Sequence, residues 1–401
     1  MTNRFAVRML LFHGGERFPV LFDKVAGQPV FDATIYALTE LRARNRASST
    51  IDQSARSIMV LQLFLESRGI DLAQRMQRGR VLEVGEIDEL VRLCRLPLSA
   101  VIDNTAVNAQ LPTTQRHKAE PLERVRMRLK TPLAEIAPAS AAIRLIYIRE
   151  YVGWLATGQM LRLSITHPAR AALESAIGAF MSAIGARIPP TSIRRGIGQR
   201  EGLPPEVLTR VLEVTNPNAN ENPWKGAHVR ERNQLVIHLM RELGIRRGEL
   251  LGLKISDIDF RANTLLIARR ADDPADPRRR QPNAKTRDRR LDLGEDLACR
   301  LRSYVLGARR NIRGARRHEF LFVANGTGAP MTLEGVTKVF QTLRKKVPGL
   351  PDELTGHVLR HTWNDEFSEA IDASNVSEES ENNMRSYLMG WSPTSGTAVV
   401  V

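Results

Sequence analysis

The segment PPTSIRRGIGQREGLPPE (residues 189–206) interrupts any regular pattern, because prolines at both ends and glycines between them suit neither a helix nor a sheet. It divides the chain into two stretches with different periodicities. Before it, SAAIRLIYIREYVGWLATG and ARAALESAIGAFMSAIGARI repeat apolar residues at helical spacing. SSTIDQSARSIMVLQLFLESRGI does the same, with expected caps at Ser48 to Thr50 and a stop at Gly69. Residues 1–27 read as a short N-terminal β element, and 28–188 as a helical domain with an insertion near 75–130. Residues 189–203 read as the linker. From 204 onward the pattern is mixed. RERNQLVIHLMRELGIRRGELLGL gives a long helix, a turn at Gly244 and a short helix, while TLLIARR and RRLDL read as strands of a small antiparallel sheet.

Charge narrows the partner. Lys and Arg number 59 against 44 Asp and Glu, a formal net charge of +15. That surplus favours a polyanion, since binding phosphates releases condensed counterions. No run of about 18 apolar residues exists to cross a membrane. The two cysteines, Cys94 and Cys299, form no zinc spacing with any histidine. A cytosolic, nucleic-acid-associated protein is the expected reading, and no membrane contact is expected.

Four short stretches concentrate the chemistry. GIRRGEL sets Arg246 and Glu249 three apart, so an acid could orient a guanidinium; a surface ion pair explains the spacing equally well. Residues 278–290 hold Arg278, Arg279, Arg280, Lys285, Arg287, Arg289 and Arg290 around a polar turn, a phosphate-binding patch or a solvated charge run. Arg195 in the linker is a further candidate DNA contact. GHVLRH places His357 and Arg360 three apart with His361 adjacent. Arginine grips two nonbridging phosphate oxygens at once, and histidine exchanges protons near neutral pH. No HExxH pattern occurs, so neither a metal nor any other cofactor is expected.

Taken in order, GIRRGELLGLKISDID, AKTRDRRLDL, HVLRHT and LMGW resemble the tyrosine recombinases, the integrase family of DNA strand-exchange enzymes. The resemblance implies a two-domain DNA clamp. A mainly helical core-binding domain would precede a mixed α/β catalytic domain at residues 204–401, built around a small antiparallel sheet. It implies Arg246, Lys285, His357, Arg360 and Trp391 as catalytic residues, supported by Glu249 and His361. It also implies attack by a tyrosine on one phosphodiester, a 3′-phosphotyrosyl intermediate and a tetrameric synapse on DNA. The free chain would be monomeric, an accessory DNA-bending or directionality protein could take part, and the partner implied is double-stranded DNA in a bacterial cytoplasm, at the nucleoid. The family's tyrosine follows the GW position at a spacing that falls here at or just beyond Val401, and residues 392–401 contain no tyrosine. The catalytic domain therefore reads as truncated at or just before its nucleophile. Tyr387 lies on the wrong side of Trp391 to take its place. The rival readings are a cleavage-deficient DNA-binding protein on the same scaffold, a type IB topoisomerase-like enzyme and a basic RNA-binding protein.

Overall fold

Apolar periodicity decides most of the elements in the structure, a computed structural model that describes residues 4–109, 134–190, 202–282, 286–374 and 376–391. Most of the described residues in regular structure are helical, with two small antiparallel sheets. The chain forms two compact units, one of residues 1–12 and 17–193, the other of 13–16 and 194–401.

In the first unit, β1 (Phe5–Leu11) pairs antiparallel with β2 (Arg17–Asp23), and β3 (Gln28–Pro29) adds to the far side of β2. Helix α1 (Phe31–Tyr36) continues as a π-helical turn to Arg42. Next comes α2 (Ser48–Arg68), whose Ile51, Ile58, Leu61 and Phe64 are almost wholly removed from water. Gly69 ends it in the left-handed region, at φ 63°. The start differs from expectation: Ala47 is the N-cap and makes no side-chain cap bond, so Ser48 to Thr50 already lie in the first turn. Packing of the buried face stabilises this helix more than capping does.

Three helices occupy the stretch where the sequence pattern is weak: α3 (Leu72–Gln77), α4 (Val84–Cys94) and α5 (Leu98–Ala109). Arg75 ties α3 to α4 through both oxygens of Glu86. Helices α6 (Pro138–Arg162) and α7 (Pro168–Arg187) both open on a proline, which needs no amide partner there. Leu145, Ile148, Val152 and Ala156 form the buried stripe of α6.

The second unit starts with α8 (Pro205–Thr215), α9 (Ala227–Glu242) and α10 (Arg247–Gly252). Gly244 makes the turn between α9 and α10 at φ 57°, where a Cβ would meet Met389 and the Trp363 ring. Strands β4 (Ile258–Asp259), β5 (Thr264–Ile267) and β6 (Arg289–Asp292) pair antiparallel in that order. They are followed by α11 (Glu295–Tyr304), α12 (Leu333–Lys346), α13 (Gly356–Asp372) and α14 (Glu378–Met389). Val236, Ile237, Leu265, Leu301, Leu321, Leu343 and Leu359 lie at the centre of one core that joins sheet and helices.

Arginine serves as structural cement here. The buried Arg309 guanidinium donates to the carbonyls of Ala315, His318, Phe320 and Leu321 and closes the loop after α11. Arg309→Met keeps most of the apolar stem but strands these acceptors. It is expected to destabilise the chain by about 3 kcal/mol, read as a lowered urea midpoint in equilibrium unfolding.

Candidate active site

The centre of the second unit's polar site is the end of α14. Gly390 adopts the left-handed conformation at φ 65°, so its N–H bonds back to the Tyr387 carbonyl and the Trp391 N–H to that of Ser386. This closure satisfies two of the last carbonyls and leaves those of Leu388 and Met389 without helical donors. Three arginines supply the bonds. Arg289 Nε donates to Leu388 O at 2.7 Å, while Arg246 Nη1 and Arg360 Nη2 each donate to Met389 O at 3.2 Å. The helix end carries partial negative charge, which favours cations there.

Each arginine comes from a different element. Arg246 is the N-cap of α10, Arg289 begins β6, and Arg360 lies in the first turns of α13, with its second bond to the Gly244 carbonyl. Glu249 sits between them and is 2% exposed. Its carboxylate accepts from the Arg246 backbone N–H at 2.8 Å, from Arg289 Nη2 at 3.0 Å and from the Thr286 hydroxyl. The Arg246 guanidinium is 3.6 Å from the same carboxylate. Glu249 is therefore not half of a surface pair. It is a buried anion whose closest charged partner is Arg289, which the sequence marks only as one member of the basic run at 278–290.

The electrostatics follow from burial. Burial alone would raise the Glu249 carboxyl, but Arg289, Thr286 and the Arg246 N–H together hold it below its ordinary value. Burial and then the Arg246 charge push the Arg360 guanidinium down to about 9, so it stays charged at neutral pH. Burial also lowers Arg246, with Glu249 opposing the shift. Three guanidiniums against one carboxylate leave two positive charges in a mostly buried cluster. Such a cluster favours an incoming anion. The Trp391 ring lies near it, its centroid 6.0 Å from the centre of the Arg360 guanidinium.

The other sequence candidates are spread more widely. His357 is exposed and meets His361: the rings lie edge to face at 4.6 Å, with their Nε2 atoms 3.3 Å apart. Arg278, expected to touch phosphate, is instead buried. It pairs with Asp276 at 2.8 Å and donates to the carbonyls of Leu251 and Met331, so it holds the 276–282 loop to its neighbours. Arg279, Arg280 and Arg287 are exposed. Lys285 and Arg195 lie outside the described residues. The Tyr387 hydroxyl donates to the Arg290 carbonyl at 3.1 Å, occupied with the backbone of β6. Among the described residues no cluster of histidine, cysteine and acidic side chains is arranged to hold a metal, and no helix is long and apolar enough to cross a membrane.

Glu249→Gln leaves Arg289 buried without its counter-charge, at an expected cost of about 3 kcal/mol near neutral pH. The folded carboxyl lies below its ordinary value of 4.5, so its stabilising effect is complete above that pH and fades as pH falls through the folded value. Urea unfolding of parent and variant across this range should show a gap that is constant above about pH 5 and narrows below about pH 4.

The sequence profile of the phage integrase family matches residues 207–378, a span that holds Arg246, Glu249, Arg289, His357 and Arg360. The chain is 28% identical over 172 residues to tyrosine recombinase XerC of Bacillus pumilus, a match covering 42% of this chain and 48% of that protein. It is 26% identical over 132 residues to tyrosine recombinase XerD of Halalkalibacterium halodurans, covering 33% and 39%. The matched part thus spans less than half the length of these relatives. Among solved structures, the crystal structure of XerA recombinase is similar at 14% identity and a TM-score of 0.37, over 92% of this chain and 91% of that one. Over residues 207–378, then, the chain is similar to the phage integrase family and to tyrosine recombinases.

Proposed function

We propose that this chain acts on duplex DNA as a site-specific recombinase and that the Arg246–Arg360 pair is its grip on the scissile phosphate. The observation that carries this reading is the convergence of both guanidiniums on one acceptor, the Met389 carbonyl, above the buried Glu249. An acceptor shared by two guanidiniums marks a point where both can reach one phosphate. Both carry further N–H groups for its nonbridging oxygens.

The chemistry suits that charge. A phosphodiester carries one negative charge, and addition of an attacking oxygen places a second on the equatorial oxygens. Two net positive charges, fixed before the reaction, stabilise the transition state more than the ground state. In the proposed reaction a tyrosine oxygen forms a bond to phosphorus, and the 5′-oxygen leaves with a proton from Lys285. A 5′-hydroxyl of the partner duplex then attacks the phosphotyrosine and releases the tyrosine, so no external energy is needed. His357 assists proton transfer, with His361 beside it. Trp391 donates through its indole N–H but cannot act as a base. Two duplexes exchange strands in this scheme, so the assembly is a four-protomer synapse.

The competing reading is a DNA-binding protein that uses the same arginine cluster to hold phosphate and never cleaves. Reading the codons after Val401 separates the two. A tyrosine within the first few supports strand cleavage, and a stop codon supports binding alone. The grip itself is tested on a site selected from a random duplex pool by the chain. Arg360→Ala is expected to weaken binding to the selected site by about tenfold to a hundredfold, the value of a charge-assisted pair. Arg360→Lys should recover only part of it, because an ammonium cannot make the paired contact. Equal affinity of all three proteins in a gel-shift titration would remove Arg360 from the phosphate site.

A further inference from the structure

One basic stretch has no part in the site described above. RRNIRGARR, residues 309–317, contains no acidic residue, and the first one after it is Glu319. In the fold its arginines divide into two kinds. Arg309 is 3% exposed and is consumed by the carbonyls beneath the loop. Arg310, Arg313, Arg316 and Arg317 are exposed.

The loop that carries them is held in place on several sides. Gly314 sits at φ 89° with its Cα packed on the Thr327 carbonyl, where a Cβ would come within 2.5 Å, and Gly328 backs onto Arg313 and Ala315 in the same way. His318 bonds the Gly328 carbonyl at 2.8 Å. On the other flank, Ile255 N donates to the Glu319 carbonyl and Leu321 N to the Leu253 carbonyl, each at 2.8 Å. The Ser256 hydroxyl donates to the Glu319 carboxylate at 3.0 Å, which occupies one oxygen of the nearby acid. Burying the Arg309 charge is costly unless it is fully bonded, and here it fixes the backbone from which four like charges project. Beside them lies a shallow hollow of about 510 Å³ lined by Arg316, Arg317, His318 and Ser256 among others.

We propose that this loop is a second, sequence-independent contact to the phosphate backbone of duplex DNA, separate from the Arg246–Arg360 grip. The position of the loop supports the separation. Its stem is pinned to residues 253–255, just after α10, whereas Arg246 caps the opposite end of that helix. Six residues of helix set the stem of the loop about 9 Å from Arg246 along the axis. Four guanidiniums on a fixed loop match a repeating line of phosphates and read no bases. This inference rests on the duplex-DNA reading above.

The test measures binding of the full chain to a random-sequence duplex of several helical turns as a function of salt. In the Arg310→Gln, Arg313→Gln, Arg316→Gln, Arg317→Gln variant, the slope of log K against log salt should flatten by about 0.9 for each phosphate no longer neutralised, about 2 to 4 in all. Arg313→Gln alone should flatten it by about 0.9 and guards against misfolding of the fourfold variant, whose melting temperature is checked beside the parent's. Arg360→Ala, away from the loop, should leave the loop-dependent part intact. Unchanged slopes in both loop variants, with a parent that binds DNA, overturn the loop contact and leave the DNA reading standing. A parent that binds no duplex at low salt overturns both. Polyglutamate that displaces the loop-dependent binding better than duplex DNA of equal charge overturns the DNA assignment in favour of an acidic protein partner.

Discussion

Two backbone carbonyls at the end of one helix hold the polar centre of the second unit together. The left-handed turn at Gly390 closes α14 on itself and leaves Leu388 and Met389 as acceptors. Arg246, Arg289 and Arg360 would repel one another at this distance in an interior of low dielectric. They are stable together because the helix end, Glu249 and the Gly244 carbonyl answer their N–H groups. Gly390 has little freedom to change: a Cβ there would fall 2.7 Å from both Arg289 Nη1 and the Thr286 side chain. The site is thus assembled by the tertiary fold from four separate elements, none of which could hold it alone.

Much of the architecture is legible in the sequence because burial imposes a period. The stripe of Leu145, Ile148, Val152 and Ala156 could only be the face of a helix, and TLLI with RRLD could only be short paired strands. The α9–Gly244–α10 unit is equally readable, since a long amphipathic run meets a glycine and then a short one. The stretch from 70 to 109 is harder because its helices are short. Such segments depend on partners distant in sequence, as Arg75 and Glu86 show.

The site is legible in its residue types and less so in its geometry. Charge alone cannot tell a buried arginine from an exposed one. In RDRRLDL, Arg289 is buried and Arg290 exposed because a strand sends neighbours to opposite faces, and sequence alone does not set the phase of so short a strand. The run Arg278, Arg279, Arg280 misleads for the same reason: the first turns inward to Asp276 and the other two outward. A signal for Arg289 nevertheless exists. Glu249 is followed by Leu250 and Leu251, both buried, and an acid buried beside them requires a cation.

Trp391 bears on how the proposed reaction would handle its protons. An indole donates one hydrogen bond and accepts none, so the position nearest Arg360 in sequence order after α14 cannot remove a proton. The arginines remain charged at neutral pH and cannot do so either. In the proposed mechanism proton transfer is assigned to the pair His357 and His361. Their Nε2 atoms are within hydrogen-bond distance, which requires a proton on one and a lone pair on the other. In the proposed mechanism, charge stabilisation and proton transfer belong to different parts of the site: a mostly buried arginine cluster fixed by a helix end, and a histidine pair on α13, His357 exposed and His361 half-buried.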